Sequence, residues 1–259
     1  MNALCRFATV LMLTLIPFCM NAKAEVRFGI AAEPYPPFTW KDATGKWVGW
    51  EVDMMNAVCA QMNEKCSIVA VSWDGIIASL NGHFFDVIWS SMGVTKARLK
   101  EIDFTEVYYS TPIVMIGVKN SDPDLSSTHL AGKIIGVQSG TMHERYVDKY
   151  FASKSVIKRY QTQDEANEDL VAGRVDYVQI DALPGDSFLK TDAGGACCEL
   201  KGIVPDDPEI FGGLGVAGGV RKDDGALKDR LNAAITAVRA SGECDAISRK
   251  YFTLHVCGD

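Results

Sequence analysis

Three short stretches of this chain end in side chains able to hold a charged small molecule. In "DVIWSSMGVTKARLKEIDF" (86–104) an apolar strand runs into Ser90, Ser91 and Gly93, and a helix then brings Arg98. In "GVQSGTMH" (136–143) another apolar strand ends in Ser139, Gly140 and Thr141, with His143 two residues on. Small and hydroxyl residues at a strand-to-helix turn leave backbone N–H groups free to point at an anion. Gly93 lets a ligand approach the main chain closely, and Arg98 carries a fixed fork of donors that fits a carboxylate bidentately. Asp181 closes a third run, "VDYVQID" (175–181), where it could accept from an ammonium or act as an ordinary helix N-cap. Carboxylate receptors on one side and an ammonium acceptor on the other describe an α-amino acid. Taken singly, each residue also fits a plain role: the Ser90–Ser91 pair a turn, Arg98 a solvated or lobe-bridging charge, Tyr35 and Trp73 core or surface aromatics.

Catalytic signatures are missing. There is no G-x-S-x-G, H-E-x-x-H or G-x-x-x-x-G-K-[ST], and no G-x-G-x-x-G follows a strand. The histidines His83, His129, His143 and His255 are not spaced as a metal pair, and the cysteines form no zinc pattern. The expectation is a protein that needs no cofactor and no metal.

The elements that must position these residues alternate. "VRFGIAA" reads as a strand, "GWEVDMMNAVCAQMN" as a helix with Val52, Met55, Cys59 and Met62 on one face, "CSIVAVS" as a strand. A short helix "WDGIIASLNG", the strand "FDVIWSS", a helix from Thr95 and the strand "TPIVMIGVKN" follow. Beyond residue 132 the pattern restarts: strand, helix, strand, helix, strand from Lys133 to Asp181. "FGGLGVAGGVRK" (211–222) then returns as a strand, and a long helix starts near Asp224, with Leu227, Leu231, Ala234 and Val238 as its apolar stripe until Gly242 interrupts it. Such βα repetition predicts α/β architecture with mostly parallel sheets. The blocks separate near 112 and 212, so two lobes are expected, with ligands at the C-terminal ends of strands.

Residues 1–24 read as a secretion leader: Arg6, the apolar "FATVLMLTLIPF" and the small-x-small "AKA" predict cleavage after Ala24. That apolar run is too short for an anchor, and Phe18 before Cys19 is too bulky for a lipoprotein signal. The remaining chain holds 24 basic and 33 acidic residues, a balance of −9 that argues against nucleic-acid partners. Its six cysteines, in an oxidising compartment, read first as disulfides. Cys59 with Cys66 is a plausible local staple, Cys244 with Cys257 a possible second, and Cys197 and Cys198 are not assigned by spacing.

"EPYPPFTW", "GWEVDMMNAVC", "WDGIIASLNGHFFDVIWSSMGVTKARLKEIDFT", "GVQSGTM", "AGRVDYVQID" and "RKYF" arrive in an order that resembles the family 3 periplasmic solute-binding proteins across the whole chain after the leader. The lysine/arginine/ornithine-, histidine- and opine-binding receptors of ABC importers are the members it most resembles. The resemblance implies a two-lobed periplasmic-binding-protein type II fold. Each lobe would be a mostly parallel sheet covered by helices, and two strands would form the hinge. Lobe 1 would comprise 25–112 plus 213–259, and lobe 2 113–212. It also implies that Arg98 clamps a ligand carboxylate with the N–H groups of Gly93 and Thr141, and that Asp181 holds the α-ammonium with Ser91 assisting. Tyr35 and Trp73 would sandwich the ligand side chain, while Ser90 and His143 complete the expected binding set. Cys59–Cys66 matches a disulfide of the histidine and lysine/arginine/ornithine receptors, and Cys244–Cys257 is favoured because a bond between lobes would block closure.

The chain departs from those receptors near the side-chain end of the site. They place an acid three residues before the tyrosine; here that position is Ala32, and Glu33 lies two before. An extra residue in the segment would let Glu33 take over. The expectation is a monomeric periplasmic receptor that delivers a polar, basic amino acid to a membrane permease. The alternatives on this fold are a cyclohexadienyl or arogenate dehydratase, or a receptor serving a membrane sensor.

Overall fold

The computed structural model describes residues 25–213, 215–254, 256 and 257. The leader reading of residues 1–24 lies outside them, as does His255. The chain builds two five-stranded sheets that face each other across a cleft, plus one small hairpin.

In the first lobe β1 (Val26–Ala31) is buried along nearly its whole length, as expected of a strand covered on both faces. The hairpin β2 (Trp40–Lys41) and β3 (Trp47–Val48) precedes α1 (Trp50–Met62). Glu51 and Asp53 sit in the first turn of α1, where the helix dipole favours acids, and Asn63 closes it in the left-handed conformation. Then come β4 (Cys66–Val71), a turn of 3₁₀ helix (Trp73–Gly75), α2 (Ile76–Asn81) and β5 (Val87–Ile88). A single helical turn, α3 (Arg98–Glu101), leads into β6 (Asp103–Tyr109).

The second lobe contains β7 (Ile113–Val118), β8 (Ile134–Gln138), α4 (Met142–Tyr150), β9 (Val156–Tyr160), α5 (Gln163–Val171) and β10 (Tyr177–Asp181). It continues through α6 (Ala182–Leu189), α7 (Asp192–Cys197), β11 (Cys198–Ile203) and α8 (Pro208–Phe211). The chain then recrosses as β12 (Val216–Val220) and ends in α9 (Gly225–Ala240) and α10 (Glu243–Ser248) against the first lobe. The predicted stripe of α9 is buried at Leu227, Leu231, Ala234 and Val238.

The strand orders are β4-β1-β5-β12-β6 and β11-β7-β10-β8-β9. In each sheet four strands run one way and one runs against them: β12 pairs antiparallel with β5 and β6, and β7 with β10 and β11. Both reversed strands enter directly from the other lobe. A strand that starts at the cleft must run away from it, opposite to the strands that end there. The sheets are therefore mixed, not uniformly parallel.

Cys59 bonds Cys66, joining the end of α1 to the start of β4, and Cys244 bonds Cys257. Cys197 and Cys198, left unassigned above, are bonded to each other at the α7–β11 junction. Beneath the cleft of the first lobe lies an aromatic floor, in which Trp89 stacks on Tyr108 with centroids 4.2 Å apart and Phe38 on Tyr109 at 4.6 Å. Among the described residues no helix is long and apolar enough to cross a membrane.

Candidate functional site

All ten anticipated binding residues line one cavity between the lobes. They reach it because the turns after β1, β4, β5, β8 and β10 all open at the cleft edge.

Arg98 is anchored from below: its backbone N–H donates to Thr95 Oγ1 (3.2 Å) as α3 begins. The guanidinium is buried, donating to Gly93 O (2.9 Å) in its own lobe and to Gly140 O (3.3 Å) across the cleft. It also lies 5.3 Å from the centre of the Trp73 ring. Burial and, next, repulsion from Arg145 lower its pKa to about 10, so it is cationic at neutral pH. Two of its five donors are engaged by carbonyls, which leaves others for a carboxylate.

Asp181 stands opposite. It occupies the N-cap position of α6 but makes no side-chain cap bond, so the plain capping role does not hold. Its Oδ2 instead accepts from Tyr35 Oη at 2.6 Å, a contact between lobes, and lies 3.6 Å from His143 Nε2. Burial first, and then the Asp181 charge, push the Tyr35 phenol well above its usual value. His143 is buried and its Nδ1 finds no partner among the described residues; the same holds for Glu33 Oε2.

The two serines differ. Ser90 Oγ accepts from Ala31 N (2.9 Å) and ties the ends of β5 and β1 together. Ser91 has a positive φ of 50°, and both its N–H (2.7 Å) and its hydroxyl (3.0 Å) donate to the carboxylate of Glu51. Tyr108 Oη donates to that carboxylate too. Glu51 is only 1 % exposed. Burial outweighs these hydrogen bonds and pushes its carboxyl up to about 7.

The second lobe presents the N-terminus of α4. Thr141 caps it, accepting from Glu144 N (3.2 Å) and donating to Gln138 O (2.7 Å), while Glu144 reaches back to Gly140 N (2.8 Å). Both hydroxyl and carboxylate are thereby engaged, so the anion-binding potential of this turn lies in its backbone and dipole. Gly93 faces it closely: a Cβ there would sit 3.0 Å from Met142 Sδ.

The sequence profile of the bacterial extracellular solute-binding proteins, family 3, matches residues 26–254. The chain belongs to that family. It is 41 % identical over 243 residues to the L-arginine-binding protein of Pseudomonas aeruginosa, covering 92 % of this chain and 91 % of that one. It is 35 % identical to the histidine-binding periplasmic protein of Salmonella typhimurium, over 88 % of both chains. An ancestral arginine-binding protein bound to arginine superposes with a TM-score of 0.80 at 30 % identity, covering 88 % of this chain and 98 % of that one.

This family 3 solute-binding protein also lines its cleft with residues the sequence did not single out. Gln163, at the start of α5, reaches the cavity while bonding Asn167 Oδ1 (3.1 Å). Glu51 lies behind Ser91, although a first-turn helical acid reads as solvent-facing. Its only sequence signal is the position beside buried Trp50 and Val52. At the mouth of the cleft Lys96 Nζ meets Glu209 Oε1 at 2.5 Å across the lobes. Among the described residues no cluster fit for a metal ion occurs.

Proposed function

We propose that this chain is the periplasmic substrate-binding protein of an ABC importer and captures a basic L-amino acid by closing its two lobes on it. The observation that carries the reading is one cavity between the lobes holding Arg98 on one side and the Tyr35–Asp181 pair on the other. Arg98, with backbone N–H groups of Gly93 and Thr141, would take the α-carboxylate. Asp181 and Ser91 would take the α-ammonium. Tyr35 and Trp73 would flank the side chain, where a cation gains attraction from the rings.

The preference for a basic side chain rests on charge. Glu33, Asp181 and the titrating Glu51 stand in or against the cleft, with Arg98 as their counterweight. A zwitterionic amino acid adds no net charge to that set, whereas a basic one neutralises part of it. The buried Glu33 Oε2, without a partner among the described residues, is a fitting seat for the cationic end.

In this reading residues 1–24 are removed on export after Ala24, the lobes divide as 25–112 plus 213–259 and 113–212, and the receptor acts as a monomer. Its closed form is what a membrane permease would recognise. The relatives matched are binding proteins, and nothing in the cleft favours the dehydratase alternative.

A thermal-shift panel tests the reading: residues 25–259, unfolded and refolded to strip carried-over ligand, against common amino acids, ornithine, citrulline and opines. A ligand at 100 times its Kd adds about 2.7 kcal/mol of stability. A shift with arginine, lysine, ornithine or histidine is the expected result. A response to neutral amino acids alone would retire the basic preference, and silence across the panel would overturn the reading.

A further inference from the structure

Among the described residues, Glu51 is the one buried acid of the first lobe that touches the site from behind, and its hydrogen-bond donors there include no cation. Those donors are Ser91 N, Ser91 Oγ and Tyr108 Oη, all neutral. Ser91 itself lines the cavity. A serine hydroxyl has one proton and two lone pairs. When Glu51 is ionised it accepts that proton, so both lone pairs of Ser91 Oγ are available to an incoming N–H donor. When Glu51 is protonated its own O–H competes for Ser91 Oγ, and the serine is no longer a dedicated acceptor.

We propose that Glu51 is a positioning residue of the ammonium site: it orients Ser91 as an acceptor and loses its proton to solvent when an amino acid's ammonium binds. The inference rests on the amino-acid-binding reading and extends it from the contacting residues to a buried acid behind them. Breaking the Glu51 O–H bond releases one proton to the buffer and leaves a carboxylate that faces the ammonium through Ser91.

The ionisable groups around Glu51 favour this exchange. Asp181 acts on it across the cleft, Tyr108 and Tyr109 of β6 lie beside it, and Tyr35 is near enough to feel its charge. From the C-terminal side Lys250 and Tyr251 engage Asp53, two residues along α1, instead of Glu51. A carboxyl that burial has raised to about 7 is partly protonated at neutral pH, and a nearby cation lowers it again. His143 lies 3.6 Å from Asp181 in the same cavity, so the test must separate its contribution from that of Glu51.

Calorimetric titration with L-arginine, or with L-lysine or L-histidine where that binds tighter, at pH 7 in phosphate and in Tris buffer counts the protons released. Wild-type protein should release a substantial fraction of one proton. Its affinity should rise as pH goes from about 5.5 to 7, by at most about tenfold per pH unit. Glu51→Gln, an isosteric change, should release none in that window, bind several-fold more weakly at pH 8 and show a flat pH profile. A ¹³C spectrum of glutamate-labelled protein should show a carboxyl titrating near neutrality that Glu51→Gln lacks. Arginine binding with no proton release, or with the same release in Glu51→Gln, overturns this inference alone and in the second case points to His143. Failure of wild-type protein to bind any of the three amino acids overturns the amino-acid reading and this inference with it.

Discussion

Arg98 and Glu51 show how burial decides the behaviour of single residues here. Arg98 is fixed by carbonyls of both lobes and remains charged. Arg98→Ala should weaken amino-acid binding by about 2–4 kcal/mol, the scale for stranding a desolvated partner charge, as read by calorimetric titration. Unchanged affinity would remove Arg98 from the site. For Glu51 the folded state favours the protonated form, because its carboxyl is raised from 4.5 to about 7. Its contribution to stability is therefore full below about pH 4.5 and lost as pH rises through about 7. Relative to Glu51→Gln, the ligand-free wild type should lose about 2–3 kcal/mol between pH 5 and pH 8 in urea unfolding; a constant difference would contradict the burial of an ionising acid. The residues that reach the cleft from a turn at a strand end were legible in the sequence, since small residues, hydroxyls and one arginine announce such a turn. Glu51 was not: its partners Ser91 and Tyr108 are distant in sequence, and only the folded sheet brings them together.

Among the elements, long periodic ones were legible and short or edge ones were not. α1, α4, α5 and α9 lie where their apolar spacing puts them, and β1, β4, β8, β9 and β10 where their apolar runs do. The strand expected over 85–91 shrinks to Val87–Ile88, because Asp86 is drawn to Arg27 and Ser90 to Ala31. β6, "DFTEVYY", carries no clean alternation and gains its strand character from β12, more than a hundred residues away. The reversal of β7 and β12 follows from their entry at the cleft, a fact of topology that local spacing does not carry. The second crossing depends on two left-handed glycines. A Cβ on Gly212 would sit 2.0 Å from the Val94 carbonyl oxygen, whereas one on Gly213 meets nothing within 4 Å. Each alanine substitution should cost about 1–2 kcal/mol for the backbone conformation. Gly212→Ala should cost clearly more, through the clash that presses the α8 end off the first lobe. Thermal unfolding of the two variants compares them directly, and equal losses would mean that this contact is not made in solution.

For the whole molecule, the contacts that join the lobes sort by burial into those that can drive closure and those that cannot. Lys96 and Glu209 are both largely exposed, so their pair should be worth under about 1 kcal/mol and fade with salt. The Tyr35–Asp181 bond lies in the cleft, and Tyr35→Phe would leave a buried carboxylate without its donor. That change should cost about 1.5–3 kcal/mol of amino-acid affinity, against at most about 1 kcal/mol for Lys96→Ala. Closure also brings Asp181 of the second lobe to the cavity that Glu33 lines and Glu51 backs through Ser91, and repulsion between Asp181 and these acids opposes it until a cation arrives. A ligand shifts an open–closed equilibrium only by its preference for one form. In the proposed complex that preference would come from the ammonium and a basic side chain. Small-angle scattering should therefore show a larger radius of gyration for stripped protein than for protein saturated with L-arginine, and Tyr35→Phe should need more arginine to reach the compact form. An unchanged radius on saturation would rule out a hinge driven by the ligand's charge.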